Sequence, residues 1–143
     1  MKRLLLPACL VVLAACSQPD ETDPLETLRP KLNAGVARAL SVLEHNCVHC
    51  HGDNRLSSMP PINDTQAISK LIGSRWIVPG RPELSRFFQV VTFADEVPGA
   101  MPPSGHAISS KDMKILRDWI KKGAPLPAQN VRLTPQGPLP RSV

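Results

Sequence analysis

Cys47-Val48-His49-Cys50-His51 is the stretch of this chain best equipped for chemistry: two thiols three residues apart, with an imidazole directly after the second. C-x-x-C-H is the pattern of covalent haem c attachment. Each thiol can form a thioether to one vinyl-derived carbon of the porphyrin, and the spacing matches the separation of those two carbons. His51 then lies under the iron as its proximal ligand. Two other uses of paired cysteines fit less well. A thioredoxin-like redox pair opens a helix after a strand of a βαβ unit, and no strand pattern precedes Cys47. A structural zinc site takes four well-spaced ligands, and no second Cys or Cys/His pair follows downstream.

The elements that must hold this motif are helical. Residues 33–124 read as one all-α domain with four helical segments and no convincing strand. The first has Asn33 as a cap and Val36, Leu40 and Leu43 on one face, and it runs straight into Cys47. The second starts at Asp64, places Ile68, Leu71 and Ile72 on one side and stops at Gly73. The third has Pro82 at its first position, Glu83 in its first turn, and Leu84, Phe87, Phe88 and Val91 inward. The fourth is capped by Ser109 or Ser110, turns Met113, Leu116 and Ile120 inward, and ends at Gly123 with Pro125 beyond. Between them run two proline-bearing loops, 53–63 and 92–107. Loops of that length in so small a domain need something to pack on.

Both ends of the chain stand apart from the domain. Met1-Lys2-Arg3 followed by the apolar run Leu4 to Ala15 reads as an export signal, too short to span a bilayer. Leu13-Ala14-Ala15-Cys16 resembles the lipobox of bacterial lipoproteins, which implies cleavage after residue 15 and a lipidated Cys16 as the first mature residue. The alternative is an ordinary cleavage that leaves Cys16 a free thiol. Several acyl chains on one terminus would anchor the protein stably. Ser17 stands where lipoproteins kept at the inner membrane often carry aspartate, so the resemblance implies a periplasm-facing lipoprotein of the cell envelope, the outer membrane favoured over the inner. Residues 16–32, with Asp20, Glu21, Asp23 and Glu26 among prolines, read as a solvated linker. Residues 125–143 hold five prolines and little apolar periodicity, and are expected to be a disordered tail.

Composition narrows the rest. Of 143 residues, 16 are proline and only five aromatic (Phe 3, Trp 2, Tyr 0), which disfavours a large sandwich or a long coiled coil. The formal charge of +5 falls to +3 once Lys2 and Arg3 leave with the signal. From Gly35 to Gly123 there are eleven Lys/Arg against eight Asp/Glu, dispersed and without an aromatic-rich motif, so nucleic-acid binding is not expected.

With the attachment motif extended to Gly52, and with Pro79-Gly80-Arg81-Pro82-Glu83-Leu84-Ser85, Met101-Pro102-Pro103 and Leu116-Arg117-Asp118-Trp119-Ile120-Lys121-Lys122-Gly123-Ala124, the chain from Val36 to Ala124 resembles the class I c-type cytochromes, and more closely the planctomycete-type cytochrome c domain. The resemblance implies a small all-α fold wrapped around one haem, with its first and last helices crossing beside the cofactor. It also implies that Met101, before Pro-Pro, is the distal iron ligand, and that the carbonyl of Pro60 or Pro61 holds the proximal histidine. Asp53 to Ser58 departs from the Gly-Gly-Leu common in the closer family, which leaves the path of that loop undetermined. The position of Met101 is independently suitable: it lies fifty residues beyond His51 in a loop free to present a thioether. Met59, in the similar Ser58-Met59-Pro60-Pro61, is expected to be too near; His106 is the substitute; Met113 is expected to pack in the last helix. Arg75, Trp76 and Arg81 are candidates for the haem propionates. Trp119 reads as core, and His45 and His49 as partly exposed side chains with no role.

The function expected from these residues is single-electron transfer between redox protein partners of the envelope, by one haem c bound through Cys47, Cys50, His51 and Met101, with no small-molecule substrate and no catalytic residue. His/Met ligation raises the potential relative to bis-histidine. The rival classes are a haem enzyme or a gas- or peroxide-binding sensor with an open distal site, and a dithiol oxidoreductase.

Overall fold

The computed structural model describes residues 33–138, apart from Asp95 and Ser104. The expected signal, Cys16 and the linker up to residue 32 lie outside the described residues. Among the described residues five helices follow in order: α1 Ala34–Asn46, α2 Val48–His51, α3 Thr65–Ser69, α4 Arg86–Thr92 and α5 Ser110–Lys121, with a 3₁₀ turn at Pro82–Leu84. Among the described residues there is no β-strand, only isolated bridges between Asp64 and Arg132 and between Ile72 and Ile77. The fold is all-α, as expected.

Local chemistry accounts for the helix ends. Asn33 Oδ1 accepts from the Gly35 amide at 2.8 Å and opens α1. Asp64 Oδ1 accepts from the Ala67 amide at 2.7 Å and opens α3. Of the two serines that could cap α5 it is Ser109, whose hydroxyl accepts from the Asp112 amide at 3.0 Å. Gly123 ends α5 at φ 91°, a left-handed conformation that costs glycine little. The apolar faces of α1 and α5 then meet: Leu40, Leu43, Leu116 and Ile120 are fully buried, with Trp119 beside them. Trp119 keeps its indole N–H satisfied on the Pro125 carbonyl at 2.9 Å.

The third expected helix is broken in two. Ser85 is buried with its hydroxyl donating to the Arg81 carbonyl at 2.9 Å and accepting from the Val78 amide at 2.9 Å. Those bonds hold its backbone extended, so a 3₁₀ turn ends there and α4 begins. Leu84, expected inward, therefore points out at 51% exposure, while Phe87 and Val91 are buried.

The largest departure lies after α5. Residues 125–138 are not a disordered tail but a strap across the end of α1 and the start of α3. Val131 and Leu133 are buried, and Arg132 between them is exposed. The Val131 carbonyl accepts from the Thr65 amide at 3.0 Å, and the Leu133 amide donates to the Asn63 carbonyl at 2.9 Å. The Thr134 amide donates to the carboxylate of Glu44, which is fully buried in α1. Prolines suit such a strap: extended chain tolerates their fixed φ, and they stand at positions other than Val131, Leu133, Thr134 and Gln136, whose amides make its bonds.

Candidate functional site

A largely apolar cavity of about 310 Å³ lies between α1–α2, α4 and the two long loops. Its chemistry-bearing lining is Cys47, Cys50, His51, Met59 and Met101, drawn from three separate stretches of chain. Ile62, Leu71, Phe87, Val91 and Ile108 supply the apolar wall.

The cysteines arrive there because α1 runs into α2 almost without a break. The Cys47 amide bonds to the Leu43 carbonyl at 2.8 Å, and the Cys47 carbonyl accepts from the His51 amide at 2.9 Å. One turn of helix thus carries both thiols and the imidazole. Cys47 packs against the core and Cys50 is exposed. Burial, and secondarily the charge of Cys50, pushes the Cys47 thiol up to about 12. A thiol so shifted is a poor thiolate nucleophile at neutral pH. Gly52 closes the turn: a Cβ there would stand 2.6 Å from the Val48 carbonyl oxygen, so the chain leaves His51 by a route open to glycine.

His51 is oriented from the following loop. Its Nδ1 lies 2.9 Å from the Pro60 carbonyl, and its own carbonyl accepts from the Ile62 amide at 2.9 Å. A carbonyl only accepts, so Nδ1 carries a proton, and in the neutral imidazole Nε2 then keeps its lone pair. Of the two prolines considered, Pro60 holds the histidine and Pro61 does not.

No protein-family model, curated protein or solved structure matches the chain.

Met101 is partly buried, packs against the core and is tied to α4 by its amide, which donates to the Val90 carbonyl at 2.8 Å. Met59 also borders the cavity, despite its short separation from His51, because the loop turns back at Met59, whose amide bonds to the Leu56 carbonyl at 2.9 Å. His106 is not among the lining residues, and Met113 packs against the core. Among the described residues no three His, Cys, Asp or Glu side chains gather as a metal-ion site.

The candidates for an anionic edge divide. Trp76 lines the cavity, with the Arg75 guanidinium 5.7 Å from its ring centroid. Arg81 is instead engaged by Glu83 at 2.6 Å, on the exposed side of the 3₁₀ turn. That contact holds the Glu83 carboxyl below its usual range. Arg86, at the start of α4, lines the cavity in its place. Its position four residues past Pro82 carried no signal, because the break at Ser85 sets which way α4 faces. Asn46 was missed for a similar reason: it sits beside the motif at 6% exposure and borders the cavity, and its Oδ1 meets no protein donor. His49, expected to be idle, lies 3.4 Å from the Gln136 carbonyl of the strap, whereas His45 stays exposed and bonds the Ser41 carbonyl.

Proposed function

We propose that this chain is a membrane-tethered monohaem c-type cytochrome of the class I, planctomycete-like kind, carrying single electrons between redox proteins of the cell envelope. The observation that carries the reading is the hydrogen bond from His51 Nδ1 to the Pro60 carbonyl. In the neutral imidazole it assigns the lone pair to Nε2, in a cavity that two thiols and the thioether of Met101 also line.

The residues present suit a haem. Ligating histidines usually donate their other ring N–H to a carbonyl or carboxylate, which fixes the ring and raises its basicity. The cavity volume lies within the roughly 300–1,000 Å³ of small-molecule and cofactor sites, and its wall is apolar. Cys47 and Cys50 would hold the porphyrin through thioethers, His51 and Met101 would ligate its iron, and Trp76 and Arg86, which also line the cavity, would meet its acid groups. A bound haem supplies one-electron iron chemistry. The protein's part is to keep that centre in place: Pro60 fixes the imidazole, the Val90 carbonyl anchors the Met101 backbone, and Phe87, Val91 and Ile108 exclude water and favour the less charged reduced state. Cys16 would supply the lipid anchor. Among the described residues no helix is long and apolar enough to cross a membrane.

The test is an optical spectrum of the purified ferric protein. The far-red band of methionine-ligated haem should be present and lost in Met101→Ala; a band unchanged by that substitution removes Met101 from the iron. Haem extracted by acid solvent, or two freely titrating cysteines, would instead leave a dithiol protein. Cys16→Ser should release the protein from the membrane fraction.

A further inference from the structure

The strap after α5 makes a particular set of contacts. Among the described residues, every hydrogen bond from residues 129–136 to another element falls on the half of the protein that carries His51: the end of α1, α2, the loop 52–63 and the start of α3. Two of these contacts converge on the base of that loop. The Arg132 guanidinium pairs with Asp53 Oδ2. Asp53 Oδ1 accepts from Asn63 Nδ2 at 2.8 Å, and the Asn63 carbonyl accepts from the Leu133 amide at 2.9 Å. The two ends of the loop are thus tied to each other and to the strap. Between them the loop presents the Pro60 carbonyl to His51 Nδ1 and the Ile62 amide to the His51 carbonyl.

We propose that the strap, through Arg132 and Leu133, is a positioning element for the proximal histidine: it clamps the base of the loop 52–63 and so sets the Pro60 carbonyl against His51. The consequence for electron transfer rests on the haem reading; the clamping itself does not. A firm N–H···O=C bond raises the basicity of the imidazole and so favours ferric iron. A loosened loop weakens that bond and shifts the equilibrium toward ferrous.

Arg132 tests this because its side chain is about half exposed, so Arg132→Ala removes the tie without opening the core. Two quantities are read in the full-length holoprotein: the hydrogen-exchange rate of the Ile62 amide, and the midpoint potential against a fixed reference couple. In Arg132→Ala, Ile62 should exchange about threefold faster and the ferrous/ferric ratio at fixed potential should rise by about twofold, with Arg132→Lys restoring both in part. A chain ended after Pro125 should show the same changes, larger. Lys114→Ala, which breaks an ion pair on the outer face of α5, should change neither. If Ile62 exchange and potential stay constant in Arg132→Ala and in the shortened chain while thermal stability falls, the strap only covers the core and the positioning role is wrong. If the chain attaches no haem, the electron-carrier reading fails, and Ile62 exchange still decides whether the strap clamps the loop.

Discussion

Leu133 gives the sharpest check on how the chain ends. It is 2% exposed, in a segment whose composition reads as a tail, and Leu133→Ala removes three buried carbons. At about 0.8 kcal/mol for each, the transfer part of the loss is about 2.4 kcal/mol. A residual cavity adds to this, but a strap at the edge of the core can settle inward, so the total belongs near the low end of measured Leu→Ala losses, about 2.5–4 kcal/mol. For a domain of about a hundred residues, where 1 kcal/mol moves Tm by about 4 °C, the midpoint should fall by about 10–16 °C. Calorimetry or helical circular dichroism on the purified protein measures it, with Gln129→Ala, on an exposed part of the same segment, as the control. A Leu133→Ala loss within about 0.5 kcal/mol, the range of ordinary surface substitutions, would mean that the strap is detached in solution and that the packing argument for it fails.

Gly52→Ala should cost about 1–3 kcal/mol, as overpacking does, because the added Cβ meets a backbone oxygen that cannot rotate away; normal stability would contradict the close-approach account. With both thiols free, alkylation should modify exposed Cys50 well before Cys47, whose thiol burial holds up near 12, and equal rates by mass spectrometry would show that Cys47 is open. Glu83 and Asp118 are held below the usual carboxylate range by hydrogen bonds from Arg81 and Lys114 respectively. Their contribution is therefore present above the unfolded carboxylate pKa, about 4, and lost as pH falls through the lowered folded values. The double variant Arg81→Ala/Lys114→Ala should show a slightly shallower fall in urea midpoint between about pH 5 and 2; being exposed, both pairs contribute little, and a steeper fall would refute the assignment.

The parts legible in the sequence are those governed by contacts within a few residues. The one-turn spacing of Cys47, Cys50 and His51 follows from helix geometry, and the limits of α5 follow from Ser109 and Gly123, whose bonds close locally. The apolar stripes of α1 and α5 are long enough to announce a shared core. The side chains gathered from a distance were not legible. Pro60 and Pro61 are neighbours with identical chemistry, and only the path of the loop decides whose carbonyl meets His51. Arg86, for which no role was expected, lines the cavity where Arg81 was the candidate, because one buried hydroxyl, that of Ser85, breaks the helix between them. Val131-Arg132-Leu133 alternates for only three residues, too few to signal a strand, and its burial depends on a surface that α1 and α3 make together. Local bonding could be read from the order of residues, but which carbonyl, guanidinium and strap reach the cavity and its supports was settled by surfaces that exist only once distant segments have packed.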